Sequence, residues 1–282
     1  MLLHAAEIGF AYDTTRPVLS GVTLEVPAGA VVGVLGPNGS GKTTLLRLLS
    51  GTRRPTSGVI RFDDRPLADY TRRALARRVA VVPQETQLAF DYSVMEMVLM
   101  GRHPHLGVFE VEGPADVAVA RDALAATGAA HLEDRDFATL SGGEKQRVVI
   151  AAALAQATDV LLLDEPTSSL DLGAQLEIAQ LLAELNRTRG VTIVVSTHDL
   201  HLAAGICRDL VLLREGRIVA DGPIADVLTS AHLRALYGVE ADVHIHPGTG
   251  HLTVVPVRRL ASEAAPHPVG SSLRSEAEPR WP

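Results

Sequence analysis

The segment GPNGSGKT, residues 36–43, constrains the fold more than any other part of the chain. It follows the apolar run VVGVLG and precedes the helix-forming segment TLLRLL, which is the strand–loop–helix context of a P-loop. Glycines let backbone N–H groups turn toward phosphates, and the helix start favours an anion. We therefore expect an α/β fold with a phosphate site at Gly36, Pro37, Asn38, Gly39, Ser40, Gly41, Lys42, Thr43 and Thr44.

Two acidic residues, Asp164 and Glu165, end the apolar run VLLLDE. At the carboxyl end of a buried parallel strand they point into the crevice where such folds bind ligands. In that crevice, Lys42 can reach the β- and γ-phosphates and Thr43 can ligate magnesium. Asp164 is then a second magnesium ligand, and Glu165 is the base that orients an attacking water.

Polar residues also end two further predicted strands. Gln84 follows VAVVP, and His198 follows VTIVVST. Their shared edge predicts that Gln84 contacts magnesium and the attacking water, and that His198 touches the γ-phosphate.

Apolar bursts alternate with helical patterns along the chain. VVGVLG, VAVVPQ, DVLLLDE and VTIVVSTHD are typical of strands buried on both faces of a parallel sheet. The N-terminal runs HAAEIGFAY, GVTLEV and GVIRF predict an antiparallel sheet beside this core. A helix with one apolar face, closed by Gly190, is predicted from its spacing of Leu172, Leu176, Ala179, Leu182 and Leu185.

These patterns predict one domain over residues 1–260. A helical subdomain is inserted at about 90–158, and a hairpin covers about 240–257 around Pro247 to Gly250. The remainder, 261–282, is rich in Pro, Ser and Glu with little to bury, which predicts a disordered tail.

Composition excludes several classes of protein. The net charge of −7 and the lack of basic runs disfavour nucleic acid as a partner. A single cysteine, Cys207, excludes a disulfide framework and fits a reducing compartment. The start of the chain predicts no signal peptide, and no apolar run is long enough to cross a bilayer. We therefore expect any membrane role to depend on a partner.

The stretch LSGGE, residues 140–144, places two glycines at an exposed helix start. Ser141 and Glu144 have the spacing of a capping box, so a helix begins there. Gly142 and Gly143 leave backbone N–H groups open to a phosphate, and the helix dipole favours the anion. The alternative is a capped helix without a ligand, which does not explain the paired glycines.

The order GPNGSGKT, Gln84, LSGGE, LLLDEP, SSLD and STHD resembles the nucleotide-binding subunits of ABC transporters, nearly to Val257. The resemblance implies a P-loop NTPase ABC ATPase core with an antiparallel β subdomain and an inserted helical subdomain. It implies that ATP and Mg²⁺ bind, and that two copies stack head to tail. Ser141, Gly142 and Gly143 then face the partner copy's ATP, and Asp171 communicates across the dimer. Tyr12 resembles the aromatic residue that stacks on adenine, although an aromatic packed on the N-terminal sheet is an alternative.

The sequence predicts no membrane spans, and in this it resembles the separate ATPase subunits of importers. The resemblance implies that two copies of a membrane permease bind the ATPase dimer at the cytoplasmic face of the inner membrane. A periplasmic substrate-binding protein then takes part indirectly. The segment FDYSVMEMVLMGRHPHLG carries a second capping box, Ser93 and Glu96, before a short helix. Its methionines, Met95, Met97 and Met100, suit either adaptable docking to the permease or core filling. Both readings stay open from the sequence.

GRHPHLG together with LRALYGVEADVHIHPGTG and LTVVP is most similar to ATPases of the iron-chelate, haem and cobalamin importers, and within them to haem importers. Ferric-siderophore or cobalamin import is the alternative. His244, His246 and His251 are either a metal or haem site or solvated hairpin residues.

Two other classes of function remain as alternatives to an importer subunit. They are a soluble ABC ATPase of DNA repair or translation and a non-catalytic ATP-binding scaffold. The short interval between Lys42 and Ser141, without heptads, disfavours repair types, and a single ATPase domain disfavours translation types. Lys42, Glu165 and His198 disfavour a scaffold.

Overall fold

The computed structural model describes residues 2–13, 16–85, 90–156, 158–248 and 250–260. The tail predicted for 261–282 lies outside the described residues. The described chain contains a four-stranded, a six-stranded and a two-stranded sheet, with helices packed against them.

In these ranges the strands are β1 (Leu3–Ala11), β2 (Pro17–Val26), β3 (Val31–Leu35), β4 (Ser57–Phe62), β5 (Arg65–Pro66), β6 (Val79–Val82), β7 (Val160–Asp164), β8 (Thr192–Thr197), β9 (Asp209–Arg214), β10 (Arg217–Pro223), β11 (Val239–Ile245) and β12 (Leu252–Arg259). The α-helices are α1 (Lys42–Leu49), α2 (Arg72–Ala76), α3 (Val94–Leu99), α4 (Pro114–Ala126), α5 (Gly142–Ala155), α6 (Leu172–Arg189), α7 (Leu200–Ile206), α8 (Ile224–Val227) and α9 (Ser230–Tyr237). Short 3-10 helices occupy Leu67–Asp69, Met100–His105, Ala130–Leu132 and Phe137–Thr139.

The six-stranded sheet has the order β10-β9-β3-β8-β7-β6, and all pairs are parallel except β9 with β10. The four predicted core strands are confirmed as β3, β6, β7 and β8. Burial on both faces is wrong for β6, where Val81 is 44% exposed, because this strand lies at the sheet edge. The hairpin of β9 and β10 was not predicted. Its turn is formed by Glu215 and Gly216, which both have the positive φ that a tight hairpin turn requires.

The predicted antiparallel N-terminal sheet is confirmed, with the order β2-β1-β4-β5. Its inner side packs with Leu45 of α1 against Val32 and Val34 on one face of β3. Val31 and Leu35, on the opposite face of the same strand, pack against a second core that includes α6 and α7. Helix α1 is therefore fixed between two sheets, directly behind the loop that precedes it.

Helices α3, α4 and α5 share an apolar core of their own, made by Val94, Met97, Val98, Ala120, Leu124, Val148 and their neighbours. The predicted capping box of Ser93 and Glu96 is confirmed at the start of α3. The docking interpretation is wrong for Met97, which is only 5% exposed and fills this core. Met95 and Met100 pack on the core but stay half-buried.

Helix α6 ends as predicted at Gly190, which adopts the left-handed conformation with a φ of 65°. Its buried face consists of Ile178, Leu181, Leu182 and Leu185. Leu172 and Leu176, predicted on that face, are instead 72% and 57% exposed. The first turns of α6 extend past the core, so these two leucines are left on the surface.

Strands β11 and β12 form an antiparallel hairpin whose Ala241 and Val254 are buried against the second core. The amide of His246 donates to the carbonyl of His251 across the turn, at 2.8 Å. Among the described residues, no group of three or more histidine, cysteine or acidic side chains is arranged to hold a metal ion, these histidines included. Within the same ranges, no helix has both the length and the apolar character that a bilayer crossing needs.

Candidate nucleotide site

The P-loop lies between β3 and α1, and its glycines are required by geometry. Gly39 and Gly41 have φ values of 79° and 108°, a region that residues with a side chain rarely adopt. A Cβ at Gly36 would collide with the carbonyl oxygen of Leu213, and one at Gly41 would lie 2.7 Å from a methyl of Leu19. Around Gly39 there is open space, so its backbone is accessible to a ligand.

The Lys42 side chain is buried at the first position of α1 and curls back over the loop. Its Nζ donates to the carbonyl oxygen of Gly36 at 2.8 Å and lies 3.4 Å from that of Pro37. The Oγ of Ser40 is buried and has no hydrogen-bond partner within the described residues. An orphaned buried hydroxyl in the same loop as an ammonium group and accessible backbone suits a phosphate, whose oxygens accept hydrogen bonds from such donors.

Asp164 and Glu165, at the end of β7, have different environments. Asp164 is buried, and one of its oxygens accepts from the Oγ of Ser196 at 2.6 Å. Glu165 has a left-handed φ of 48°, held by a hydrogen bond from its amide to the carbonyl of Ser196 at 2.9 Å. This conformation is costly for a residue with a side chain, and such strain is concentrated at functional sites.

The Glu165 side chain is held on both oxygens. Oε1 lies 3.2 Å from Nζ of Lys42, and Oε2 lies 3.2 Å from Nδ1 of His198. The three residues come from the P-loop, from the end of β7 and from the turn after β8. The structure thus brings these three predicted residues into direct contact.

Residues from four segments line one cleft of about 360 Å³, namely Val18, Asn38, Gly39, Gly41, Lys42, Thr43, Thr44, Gln84 and Glu165. Gln84 is exposed just beyond β6. Thr43, Gln84 and Asp164 supply hydroxyl, amide and carboxylate oxygens, the hard ligands that Mg²⁺ prefers. The donor set at this edge therefore fits Mg²⁺ as well as a triphosphate.

Tyr12 lies directly after β1, beside the cleft. Its Oη lies 3.3 Å from Oγ1 of Thr44 and accepts from Nη1 of Arg47 at 3.2 Å. Its ring meets the ring of Phe10 edge to face, with centroids 4.9 Å apart. The hydrogen bond with Thr44, helped by Arg47, lowers the pKa of the Tyr12 phenol. Tyr12 remains 52% exposed, and the Arg53 guanidinium lies over the ring, 6.0 Å from its centroid.

The LSGGE segment forms a second cleft. Ser141 is the N-cap of α5, and the predicted capping box with Glu144 is confirmed. The backbone amide of Ser141 donates to Glu144 at 2.8 Å and, with the Ser141 hydroxyl, lowers the pKa of that carboxyl. Gly142, Gly143 and Asp171 line this cleft of about 330 Å³ with their neighbours.

Among the residues that the structure describes, none lines both clefts. The structure therefore does not bring Ser141, Gly142, Gly143 and Asp171 together with the P-loop of the same chain.

Sequence reasoning missed two residues near the cleft. Ser196, which holds Asp164 and the backbone of Glu165, is fully buried at the end of β8. A polar residue inside the apolar run VTIVVST was the available signal. Arg47, which contacts Tyr12, carried no signal beyond its place on a helix that also bears the P-loop lysine.

Comparison with known proteins gives a consistent assignment. A sequence profile described as ABC transporter matches residues 19–168. The hemin import ATP-binding protein HmuV of Bordetella pertussis is 45% identical over 240 residues, covering 82% of this chain and 90% of that protein. The ferric enterobactin transport ATP-binding protein FepC of Escherichia coli is 39% identical over 248 residues, covering 88% and 92%.

The cobalamin import ATP-binding protein BtuD of Halobacterium salinarum is 41% identical over 248 residues. The match covers 88% of this chain but 62% of that protein, so this chain spans less than two thirds of its length.

Solved structures show the same fold. An inward-facing putative metal-chelate type ABC transporter has a TM-score of 0.80 at 33% identity, covering 91% of this chain and 97% of that chain. A dimeric ATP-binding cassette bound to ADP and Pi has a TM-score of 0.69 at 27% identity, covering 79% and 99%. With the P-loop, the LSGGE helix start and the contact of Lys42, Glu165 and His198 in one fold, the chain belongs to the ATP-binding subunits of the ABC transporter family.

Proposed function

We propose that this protein is the ATP-hydrolysing subunit of a bacterial ABC importer. The observation that carries the proposal is the Glu165 carboxylate, held between Lys42 and His198 at the mouth of the P-loop cleft. In this role, Glu165 orients and deprotonates the water that attacks the γ-phosphate. Lys42 and the loop amides stabilise the charge that develops on the phosphate oxygens, and His198 contacts the γ-phosphate.

Magnesium would be held by Thr43, Gln84 and Asp164, and it would neutralise charge on the phosphates. Ser196 contributes by fixing one carboxylate oxygen of Asp164. Its carbonyl also holds the Glu165 backbone, so one buried serine positions both acidic residues.

The proposal includes a homodimer with ATP between the two copies. The P-loop and LSGGE clefts are separate within one chain, which is what a site shared between copies requires. Gly142 and Gly143 would present backbone amides to the partner's nucleotide, and Asp171 lies beside them. The dimeric cassette that is 27% identical to this chain supports this arrangement.

The importer role includes two copies of a membrane permease at the cytoplasmic face of the inner membrane, and indirectly a periplasmic binding protein. Support comes from the relatives named as import ATP-binding proteins. In this proposal the region after Gln84 contacts the permease. Because Met97 is buried, half-buried Met100 and the exposed residues after it make that contact.

Haem is the favoured cargo. The hemin-import relative is 45% identical, and the GRHPHLG and VHIHPGTG segments resemble haem importers. The relatives named for ferric enterobactin and for cobalamin, at 39% and 41%, keep a ferric siderophore and cobalamin as alternatives. Haem would cross through the permease, so His244, His246 and His251 need not bind it. Haem uptake into liposomes containing the co-purified complex, with cobalamin and a ferric siderophore as competitors, tests the cargo.

The shared site is tested with mixed dimers. Lys42→Ala damages the P-loop, and Ser141→Arg blocks the LSGGE cleft. If sites form between copies, one chain of each kind leaves one intact site, whereas a double mutant paired with wild type leaves none. Differently tagged chains and occlusion of labelled ATP measure this. Occlusion only with the double mutant and wild type would show that each chain builds its own site.

ATP turnover in membranes, measured with and without the permease, separates an importer subunit from a soluble ABC ATPase and from a non-catalytic scaffold. A soluble ABC ATPase would not respond to the permease, and a scaffold would bind ATP without turnover. Stimulated turnover supports the importer.

A further inference from the structure

The Tyr12 ring is held by the same helix that holds the phosphate site. Thr44 and Arg47 are three residues apart on α1, so their side chains project from the same side of the helix. Both reach the phenol oxygen of Tyr12, at 3.3 and 3.2 Å. Thr44 also lines the P-loop cleft, one residue after Thr43.

Four contacts therefore hold the ring. Its oxygen is bound by Thr44 and by Arg47, it meets the Phe10 ring edge to face at an interplanar angle of 89°, and the Arg53 guanidinium lies over it, 6.0 Å from the ring centroid. An exposed aromatic side chain without such contacts rotates about χ1 and χ2, and ordering it on binding a ligand costs conformational entropy. A ring fixed beforehand avoids that cost.

Arg47 has no other role that the structure shows for its charge. It is exposed, and in the described parts of the chain no carboxylate lies within ion-pair distance of its guanidinium group. Elsewhere in the chain, Arg78 forms such a pair with Asp63. The bond to the Tyr12 phenol is thus the contact that sets the orientation of the Arg47 side chain.

We propose that Arg47 is a positioning residue for Tyr12, which it holds in place to stack on the base of the nucleotide. The inference rests on the proposed function, in which Tyr12 meets adenine. A positioning role and a general structural role for Arg47 predict different binding results. Arg47 should affect binding of ligands that carry a base, and not binding of the phosphate chain alone.

The test compares ATP with inorganic tripolyphosphate, which lacks base and ribose. Isothermal titration calorimetry on the full chain, with EDTA to prevent hydrolysis, gives both affinities. Loss of one such hydrogen bond predicts that Arg47→Ala weakens ATP binding about 3- to 10-fold. Tripolyphosphate binding should not change, and Arg47→Lys should recover part of the loss. In steady-state assays with Mg²⁺, KM for ATP should rise while kcat stays the same.

Tyr12→Phe removes the phenol oxygen and with it the contacts to both Thr44 and Arg47, so it should weaken ATP binding at least as much as Arg47→Ala. Combining the two substitutions should be no worse than Tyr12→Phe alone, because the partner of Arg47 is already gone. Arg54→Ala, at an exposed arginine lining a different cavity, is the matched control. Folding is not at risk, since alanine is a better helix former than arginine at the exposed position 47.

Two results with the Arg47→Ala variant would overturn the inference. One is ATP binding by Arg47→Ala at wild-type strength, and the other is equal weakening of ATP and tripolyphosphate. If wild type bound ATP no better than tripolyphosphate, the assignment of Tyr12 to the base would fail and the role of Arg47 with it. If wild type bound neither ligand, the proposed function itself would be wrong.

Discussion

Replacing Leu172 and Leu176 by aspartate should prevent formation of the ATP-bound dimer while leaving the chain folded. The two side chains are 72% and 57% exposed at the start of α6, beside the LSGGE cleft. Exposed leucines in a group are unusual on a surface without a partner. Aspartate in the first turns of a helix interacts favourably with the helix dipole, so folding should tolerate the change.

The size of the effect follows from the exposed area. Full burial of a leucine is worth about 1.5 to 3 kcal/mol, so side chains exposed to this degree contribute about 1 to 2 kcal/mol each when fully covered. A two-fold dimer brings together both leucines of each copy, giving about 4 to 8 kcal/mol at most. If the dimer covers half of that area, the two substitutions reduce the free energy of dimerisation by about 2 to 4 kcal/mol, which raises the dimer Kd roughly 30- to 900-fold.

Sedimentation velocity with Mg-ATP measures the dimer in a Glu165→Gln background, where slow hydrolysis preserves it. Phe109→Asp is the matched control, because Phe109 is 99% exposed but belongs to the segment between α3 and α4. Dimerisation of the leucine variant at the same concentration as its parent would refute the interface. Loss of the dimer in Phe109→Asp would place the interface elsewhere.

Three further predictions concern catalysis, the packing of the methionines and a buried thiol. Glu165→Gln should keep ATP binding but slow hydrolysis about 10²- to 10⁴-fold, since the amide cannot take a proton from water, and turnover under saturating ATP would reveal any remaining activity. Met97→Asp should abolish cooperative thermal unfolding by burying an unpaired charge, whereas Met100→Asp should remain folded and co-purify less permease; undiminished co-purification would exclude Met100 from the contact. Burial, with a smaller effect of the nearby Asp209 charge, raises the pKa of the Cys207 thiol to about 12 from the usual 9.0. Well below pH 9 the thiol is protonated in both the folded and the unfolded chain, so its ionisation does not change the free energy of unfolding. Between pH 9 and 12 only the unfolded thiol ionises, so the free energy of unfolding should fall by about 1.4 kcal/mol per pH unit relative to Cys207→Ala, measured by urea titration.

Local features of the fold were predictable because short segments determine them. The four core strands were visible as apolar runs, since strands covered on both faces need apolar residues throughout. The capping boxes at Ser93 and Ser141 depend on residues three positions apart. The carboxyl ends of parallel strands lie at one sheet edge, so the contact between Glu165 and His198 follows from topology.

Other features depend on which surfaces the rest of the chain covers, and periodicity does not report this. Leu172 and Leu176 have the same helical spacing as buried leucines, but α6 extends past the core at that end. Met97 and Met100 occupy one short segment, and only packing against α4 and α5 separates core from surface. Arg47 could not be assigned because its partner, Tyr12, is 35 residues away in sequence.

The contact between Lys42 and Glu165 connects nucleotide binding with catalysis. Within one chain, the Lys42 ammonium pairs with the Glu165 carboxylate 3.2 Å away and donates a hydrogen bond to the Gly36 carbonyl. Phosphate oxygens that reach Lys42 compete with Glu165 for this ammonium, and like charges repel the carboxylate from them. Nucleotide binding should therefore release Oε1 of Glu165, while His198 continues to hold Oε2. An oxygen freed in this way can accept a proton from water, so the carboxylate becomes an effective base only when its substrate is present.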